Sequence, residues 1–408
     1  MLRPLTQVLL IVITSVVSMQ STQADRIAEC GTRGPATAQA SVGFPRFDRQ
    51  LLLESTSETS ANVSIGDLNG DGNLDIVLIK GRHWPLISRV LLGDGKGHFP
   101  AAYNLGETPY RSYSGRLVDL DGDGNLDVVL SNDAPDAKVI YLNDGKGHFR
   151  RGSTYGRADW PTRNASVTDL NGDGLPDIIV ANRSEDLKNA SNYICLNRGR
   201  GRFDADCTAF APYPATTITP ADFNRDGHID LAAPHRDGGQ SYIYLAGPRA
   251  SYSDSRRVPF GPADAHIRMS EAADFNGDGL LDIVAIDDTG KTVTIYFGKP
   301  DGMFDSGITL GNRNAVPYAL ALADLNRDGK IDILVGYVEA QPAIYFNDGS
   351  SRNFNLLRFG DNKGTAYGFA VADLDHDGLL DIAIARSDAP NVVYFGSREA
   401  SDTHRTEQ

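Results

Sequence analysis

Seven nonapeptides of one grammar recur along this chain at a nearly constant interval, and nothing else in it constrains the fold as strongly. They read DLNGDGNLD at 67–75, DLDGDGNLD at 119–127, DLNGDGLPD at 169–177, DFNRDGHID at 222–230, DFNGDGLLD at 274–282, DLNRDGKID at 324–332 and DLDHDGLLD at 373–381. Successive first aspartates are separated by 52, 50, 53, 52, 50 and 49 residues. A sevenfold period of about this length specifies an array of equivalent supersecondary units rather than a set of unrelated domains.

Each unit repeats the same strand signals. A short run precedes the nonapeptide (NVSIG, NASVT, ALALA) and a β-branched run follows it (IVLI, VVLS, IIVA). A loop, a third run ending VIYLN, YICLN or TIYFG, a Gly-rich turn and a Phe-led fourth run complete the unit. No segment sustains a helical period, so each unit is read as four strands and no helix. Four-stranded units at this period fit the blades of a β-propeller.

The chain ends supply the closure. Phe47 precedes Asp67 by the same 20 residues that separate Phe99 from Asp119, although no unit comes before it. The last unit, in contrast, ends at VVYFG (392–396) without a fourth strand. The N-terminal strand is therefore expected to complete the last blade, which closes the ring and removes the sheet edges. The expected fold class is all-β, a seven-bladed β-propeller of four-stranded antiparallel blades over 44–397.

Within the nonapeptide the residue types point to a cation. Position 1 is always Asp (Asp67, Asp119, Asp169, Asp222, Asp274, Asp324, Asp373), as is position 5 (Asp71, Asp123, Asp173, Asp226, Asp278, Asp328, Asp377). Position 9 is also always Asp (Asp75, Asp127, Asp177, Asp230, Asp282, Asp332, Asp381), and position 3 is Asn or Asp (Asn69, Asp121, Asn171, Asn224, Asn276, Asn326, Asp375). Position 7 varies freely (Asn73, Asn125, Leu175, His228, Leu280, Lys330, Leu379), as expected of a residue that offers only its carbonyl oxygen. Position 6 is always Gly, where a tight turn needs a positive φ. An all-oxygen cage of this kind suits Ca²⁺, and up to seven structural calcium ions are expected. Magnesium would keep more waters, and an EF-hand would need flanking helices and a Glu at position 12 of its loop.

The Asp loops, coupled to GDGKGHF (93–99) and NDGKGHF (143–149), resemble FG-GAP and VCBS repeats. Such repeats build the integrin α-subunit propeller, many bacterial exported proteins and some fungal seven-bladed lectins. The resemblance covers nearly all of 44–397 and implies the same propeller. The fourth unit departs from the pattern, because YLAGPRASYSDSRRVPFGPADAH (244–266) lacks the compact Gly-rich turn and leaves its outer strand in question.

Charge and termini narrow the setting. The formal net charge of −14 argues against nucleic acid or an anionic membrane as partner. Arg3, the apolar run VLLIVITSVV (8–17) and the small residues Thr22 and Ala24 predict a signal peptide over 1–24. A linker over 25–43 and a polar tail over 398–408 would flank the propeller. The mature chain is thus expected to be secreted, periplasmic or on the cell surface, without a stable membrane anchor. Export permits disulfides, and Cys195 and Cys207 flank the turn NRGRGRF, where they could bridge one hairpin. Cys30 is then left over.

Strand alternation puts the Asp loops and Gly-rich turns on one face. The opposite face carries the loops between second and third strands and the blade-to-blade connections, where the sequence becomes irregular. Trp84 and Trp160 fall there. The position six residues before each first aspartate gives a ring of Ala61, Tyr113, Arg163, Thr216, Arg268, Tyr318 and Tyr367, with His83, Arg111 and His266 nearby. Aromatic and Arg side chains on such a face can bind a glycan or a protein, and the alternative for each is packing between blades. No GxSxG, HExxH, CxxC or P-loop is present, and no catalytic residue is nominated. Three readings follow: a binding module for glycan or protein, a lyase or hydrolase of acidic polysaccharide using His83, His235 or His266 with the tyrosines, or a structural subunit of an envelope or matrix assembly.

Overall fold

The structure is a computed structural model that describes residues 44–184, 191–203, 207–350 and 352–398. The expected signal peptide, the linker, Cys30 and all of the polar tail but Arg398 lie outside the described residues. Among those described, 28 strands pair into seven antiparallel sheets of four, with no helix. Blades 1 to 6 each use four consecutive strands, beginning with 60–66, 75–80, 89–92 and 101–104 in blade 1.

Burial explains the sequence pattern across a blade. The second strands, such as Asp75–Lys80, are buried along their whole length except at Asp287, because both faces pack against neighbouring blades. They therefore read as continuous β-branched runs rather than alternating ones. The innermost strands, such as Ser60–Gly66, alternate because one side lines the central channel. The hydrophobic clusters run between blades. One combines Leu120, Ile140 and Tyr155 of blade 2 with Ala165, Ile178 and Cys195 of blade 3.

Six of the seven innermost strands share an irregularity. Their register with the second strand slips between Ser60 and Asn62, Ser112 and Ser114, Thr162 and Asn164, Ile267 and Met269, Pro317 and Ala319, and Ala366 and Gly368. The extra residue of each β-bulge is Ala61, Tyr113, Arg163, Arg268, Tyr318 or Tyr367. A bulge re-aims the side chain of its unpaired residue, so these positions leave the alternation of the strand. In blade 4 the innermost strand starts only at Thr219, beyond Thr216.

The ring closes through blade 7, where Arg46–Leu52 pairs with Val392–Ser397. Phe47 is buried against Phe359 with ring centroids 5.2 Å apart, and the Arg49 guanidinium lies 3.7 Å over the Phe395 ring and pairs with Asp375. Lys80, 1% exposed, is neutralised at the same seam by Glu54 at 2.5 Å and Glu58 at 2.7 Å.

Two blades differ in their outer parts. Blade 4 does form its outer strand, Arg257–Phe260, paired from Ser241–Phe260 to Tyr244–Arg257. Tyr252 replaces the missing compact turn: it is buried, and its hydroxyl donates to the Ile229 carbonyl at 2.6 Å. In blade 3 a disulfide joins Cys195, on the third strand, to Cys207, one residue before the fourth. The Phe-led fourth strand holds for Phe149 and Phe354 only. Phe203 and Phe304 make single bridges to Asn197 and Gly298, and their strands start later, at Thr208 and Ile308.

Candidate functional site

On one face the seven Asp loops share a hydrogen-bond scheme. In blade 1 the Asp67 carboxylate accepts the backbone N–H of Gly70 at 2.8 Å and of Gly72 at 3.0 Å. Asn69 Oδ1 accepts from Asp71 N, and Asp71 Oδ1 accepts from Asn73 N. These nested Asx turns close the loop around its own carboxylates. Position 9 does something else. Asp75 is fully buried and accepts N–H groups from Leu68 within its loop and from Gly93 beyond the third strand, both at 2.8 Å. Asp127, Asp177, Asp230, Asp282, Asp332 and Asp381 repeat this clip. Position 9 thus ties three segments of each blade by itself, a role that a purely ligating reading of the loop misses. Burial pushes these carboxyls up, the bound amides pull them down, and neighbouring loop aspartates raise them again. The outcome is about 6 for Asp75 and about 7 for Asp282.

The loops differ in how far their charge is met. Where position 3 is Asn in blades 1, 3, 4 and 5, its Nδ2 donates to the position-5 carboxylate at 3.0 to 3.1 Å. Where it is Asp, that donor is replaced by a charge. Carboxylate oxygens of Asp119, Asp121 and Asp127 in blade 2 lie within 4.8 Å of one another, as do those of Asp373, Asp375 and Asp377 in blade 7. Asp121 Oδ1 and Asp375 Oδ1 are buried with no hydrogen-bond partner. Burial, followed by the Asp123 charge, raises the Asp121 carboxyl. Arg49 meets part of the need in blade 7, and Lys330 Nζ lies 3.6 Å from Asp328 in blade 6. Three carboxylates and an orphaned acceptor in blade 2 form the donor set that best fits a hard divalent cation.

On the opposite face the bulge residues gather at the mouth of the central channel. Arg82, Tyr113, Arg163, Thr216, Arg268 and Tyr367 line it. The Arg163 guanidinium lies 4.5 Å over Tyr113, Arg82 lies 3.9 Å over Tyr367 and 5.4 Å from Tyr113, and Arg268 lies 3.4 Å over Tyr318. Tyr318 and Tyr367 meet edge to face at 4.9 Å, so cations and rings form one continuous chain of contacts from Arg163 to Arg268. His83 reaches the Tyr113 hydroxyl at 3.2 Å. Burial, then Arg82 and Arg163, lowers its pKa, which keeps the imidazole neutral near pH 7. Burial would raise the Tyr318 phenol, but Arg268 and Arg82 bring it below its ordinary value, while burial pushes Tyr367 up to about 12.

The other candidates stand apart from this ring. Trp84 is 68% exposed, the most open large hydrophobic side chain among the described residues. Trp160 is a correction: it is 6% exposed and stacks on Tyr193 at 3.9 Å, packing between blades 2 and 3 with no surface for a ligand. Arg111 is held by Asp136 at 3.1 Å, and the His266 backbone N–H donates to Asp287. Arg82 was not legible in the repeat, because it sits in an irregular loop with no counterpart in other blades. His235 stacks on Tyr213 at 4.8 Å.

Comparisons with known proteins agree with this architecture. The FG-GAP-like repeat model matches residues 67–130, 119–180, 169–233, 274–335 and 324–384. No match begins at blade 4, the unit whose outer turn is replaced. A search of curated protein sequences finds no match. Among solved structures, BBS1N in complex with ARL6DN, soaked with mercury, aligns with 88% of this chain and 98% of its own at 12% identity and a TM-score of 0.58. YCF48 bound to D1 peptide aligns with 88% and 99% of the two chains at 13% identity and a TM-score of 0.52. The Dos1 propeller aligns with 88% and 97% at 9% identity and a TM-score of 0.53. At such identities the likeness is one of fold. The family model is the more specific match, since it spans well over half the chain in register with the Asp loops, and by it the chain belongs to the FG-GAP-like repeat family.

Proposed function

We propose that this chain is a calcium-stabilised binding module that engages a protein partner through the face opposite its Asp loops. The observation that carries the reading is the ring of bulges. Six blades break register at the one position that delivers a side chain to the channel mouth, and the delivered residues include two arginines and three tyrosines. A scaffold has no need of that, whereas Arg and Tyr dominate the centres of recognition surfaces. Two of the fold relatives were solved with partners, ARL6DN and the D1 peptide, which supports protein binding. A glycan is the second reading, favoured by Trp84, whose open ring beside His83 offers a stacking platform.

Calcium would be held by positions 1, 3, 5 and 9 with the position-7 carbonyl, and it would neutralise the clustered carboxylates. Asp121, with its unpartnered oxygen, marks blade 2 as the tightest site. With a dissociation constant of about 0.1 mM, roughly 1 mM calcium adds about 1.4 kcal/mol per site. Seven such sites would add on the order of 10 kcal/mol, comparable to the stability of a whole domain. Export belongs to the same reading, since a disulfide suits an oxidising exterior.

The test is a peptide-display library and a glycan array, each probed with the calcium-loaded chain, with Trp84→Ala and with Arg163→Gln. Selective binding of peptides that weakens in either variant supports the protein reading, and selective glycan binding replaces it with the second. Binding that ignores Trp84 and the mouth arginines, or no binding on either platform, overturns the assignment of the face.

A further inference from the structure

The mouth holds more positive charge than its surroundings neutralise, in a chain whose overall charge is −14. Four guanidiniums are involved. Arg163 pairs with Asp133 at 2.6 Å, and Arg236 pairs with Asp288 at 2.5 Å. Arg268 shares the same Asp288 at 3.9 Å, too far for a strong contact of its own, and otherwise donates to the Tyr318 carbonyl. The Arg82 guanidinium has no carboxylate or hydrogen-bond partner among the described residues, only the faces of Tyr367 and Tyr113. Two carboxylates therefore face these four cations; Arg116 and Glu271, which also line the channel, add one charge of each sign and leave the excess unchanged, and the Nε donors of Arg82 and Arg236 are buried and unmet. Asp288 Oδ1 also lacks a hydrogen-bond partner, which leaves the shared carboxylate imperfectly seated between its two arginines.

This arrangement is held in place rather than floating. Arg82 has a φ of 58°, a left-handed conformation that is strained for a side chain of this size. Its backbone N–H donates to Ser112 O of the next blade at 2.9 Å, and the loop is pinned again where Leu86 bridges Tyr110. Gly81 beside it admits no side chain, since a Cβ would meet Tyr110 O at 2.3 Å. The backbone is thus forced into the turn that presents Arg82 to the channel. Buried donors left unmet destabilise a fold unless something else requires them.

We propose that the mouth is an oxyanion site that receives a carboxylate side chain of the partner protein, bound among Arg82, Arg163 and Arg268. The inference rests on the assignment of this face as the binding face. Tyr113, Tyr318 and Tyr367 serve to hold the guanidiniums, not to stack on a ligand. Arg163 and Arg82 cover Tyr113, Arg82 covers Tyr367, and Arg268 covers Tyr318. A cation thus occupies a face of each ring and reduces the aromatic surface open to a sugar, whereas a carboxylate can enter between the arginines and accept from their guanidinium nitrogens. An acidic peptide is favoured for that reason.

The experiment measures fluorescence polarisation of a labelled oligo-glutamate peptide with the calcium-loaded chain. An oligo-lysine peptide and an oligogalacturonate are measured in parallel. The expected result is salt-sensitive binding of the glutamate peptide, with roughly a 10-fold loss or more in Arg82→Gln, as for a lost charge-assisted hydrogen bond. Arg82→Lys should recover part of that loss, and thermal melts of both variants exclude unfolding as its cause. Binding unaffected by Arg82→Gln and Arg163→Gln, or equal for the lysine peptide, overturns the oxyanion site. Tighter binding of oligogalacturonate than of the peptide transfers the site to an acidic glycan and overturns the choice of partner. A display-selected peptide that depends on Trp84 but not on the arginines sinks this inference while leaving the binding face intact.

Discussion

Asn143 Nδ2 donates a hydrogen bond to the Leu68 carbonyl of the preceding blade at 2.8 Å, tying the turn of blade 2 to the Asp loop of blade 1. Asn197 makes the same link to Leu120 at 3.1 Å, and Asn347 makes it to Phe275 at 2.8 Å. Blades 1, 5 and 7 have Gly93, Gly298 and Gly396 at the equivalent place and lack the tie. Asn143, at 5% exposure, also donates to Leu126 O, so its removal leaves two carbonyls without their donor. Asn143→Gly is expected to cost about 1–3 kcal/mol. A denaturant titration should show the midpoint falling while the overall fold by circular dichroism is kept; an unchanged midpoint would mean that water replaces the amide without loss.

The two acidic positions of one loop can be separated. Asp282 is buried and receives the Phe275 and Gly298 amides, both at 2.9 Å, whereas Asp278 is exposed and receives the Leu280 and Asn276 groups. Asp282→Ala leaves two enclosed N–H groups unsatisfied and is expected to cost roughly 2–4 kcal/mol in EDTA as well as in calcium. Asp278→Ala is expected to cost under about 1 kcal/mol in EDTA and more in calcium, because it removes chiefly a ligand. Melts of both variants in both buffers check this. Equal losses in EDTA would show that the buried clip is not the structural element inferred here.

Most of the architecture was legible because the repeat is long, regular and seven times sampled. The missing strand after Val393 and the surplus strand around Phe47 located the closure. The position six residues before Asp119 or Asp324 picked out Tyr113 and Tyr318, but the reason, an unpaired residue in a β-bulge, is invisible in one-dimensional spacing. Position 9 was equally opaque. Asp75 and Asp71 are the same residue type in the same loop, and only the backbone amide of Gly93, 18 residues on, distinguishes their roles. Trp160 misled because a large aromatic in a loop reads as exposed until its stacking partner, Tyr193 in the next blade, is known. Arg82 stood beside the nominated His83 and Trp84, but the left-handed turn at φ 58° that aims it at the channel leaves no mark in the sequence.

Metal and proton compete for the same carboxylates, which fixes a sign for pH. The position-9 carboxyls lie at about 6 in Asp75, Asp127, Asp177 and Asp230 and about 7 in Asp282, Asp332 and Asp381, above the 3.8 of an unperturbed Asp. A raised carboxyl favours the protonated fold, so the unfolded chain ionises first and stability falls as pH rises from about 4 to 7. In EDTA the melting temperature should therefore drop between pH 5 and pH 8. In millimolar calcium the cation replaces the proton and the drop should vanish or reverse, with protons released on binding. A melting temperature that rises over this window in EDTA contradicts the burial assigned to these groups. Insensitivity to calcium throughout contradicts the metal reading.

Position 4 of the loop offers a test of backbone strain that involves no contact at all. It is left-handed wherever it occurs: φ is 73° at Gly70, 72° at Gly277, 60° at Arg225, 57° at Arg327 and 57° at His376. Glycine adopts this conformation freely, while an L side chain there costs roughly 1–2 kcal/mol. The larger entropy of glycine in the unfolded chain returns part of the difference. Arg327→Gly is thus expected to stabilise blade 6 by up to about 1 kcal/mol, and Gly277→Ala to destabilise blade 5 by a similar amount. A Cβ at Gly277 would meet nothing within 4 Å, so packing cannot account for a loss there. Chemical denaturation in EDTA reads both changes free of metal effects. Opposite signs of similar size are the expected outcome, and a neutral Gly277→Ala would mean that the loop relaxes out of the left-handed region when the residue is changed.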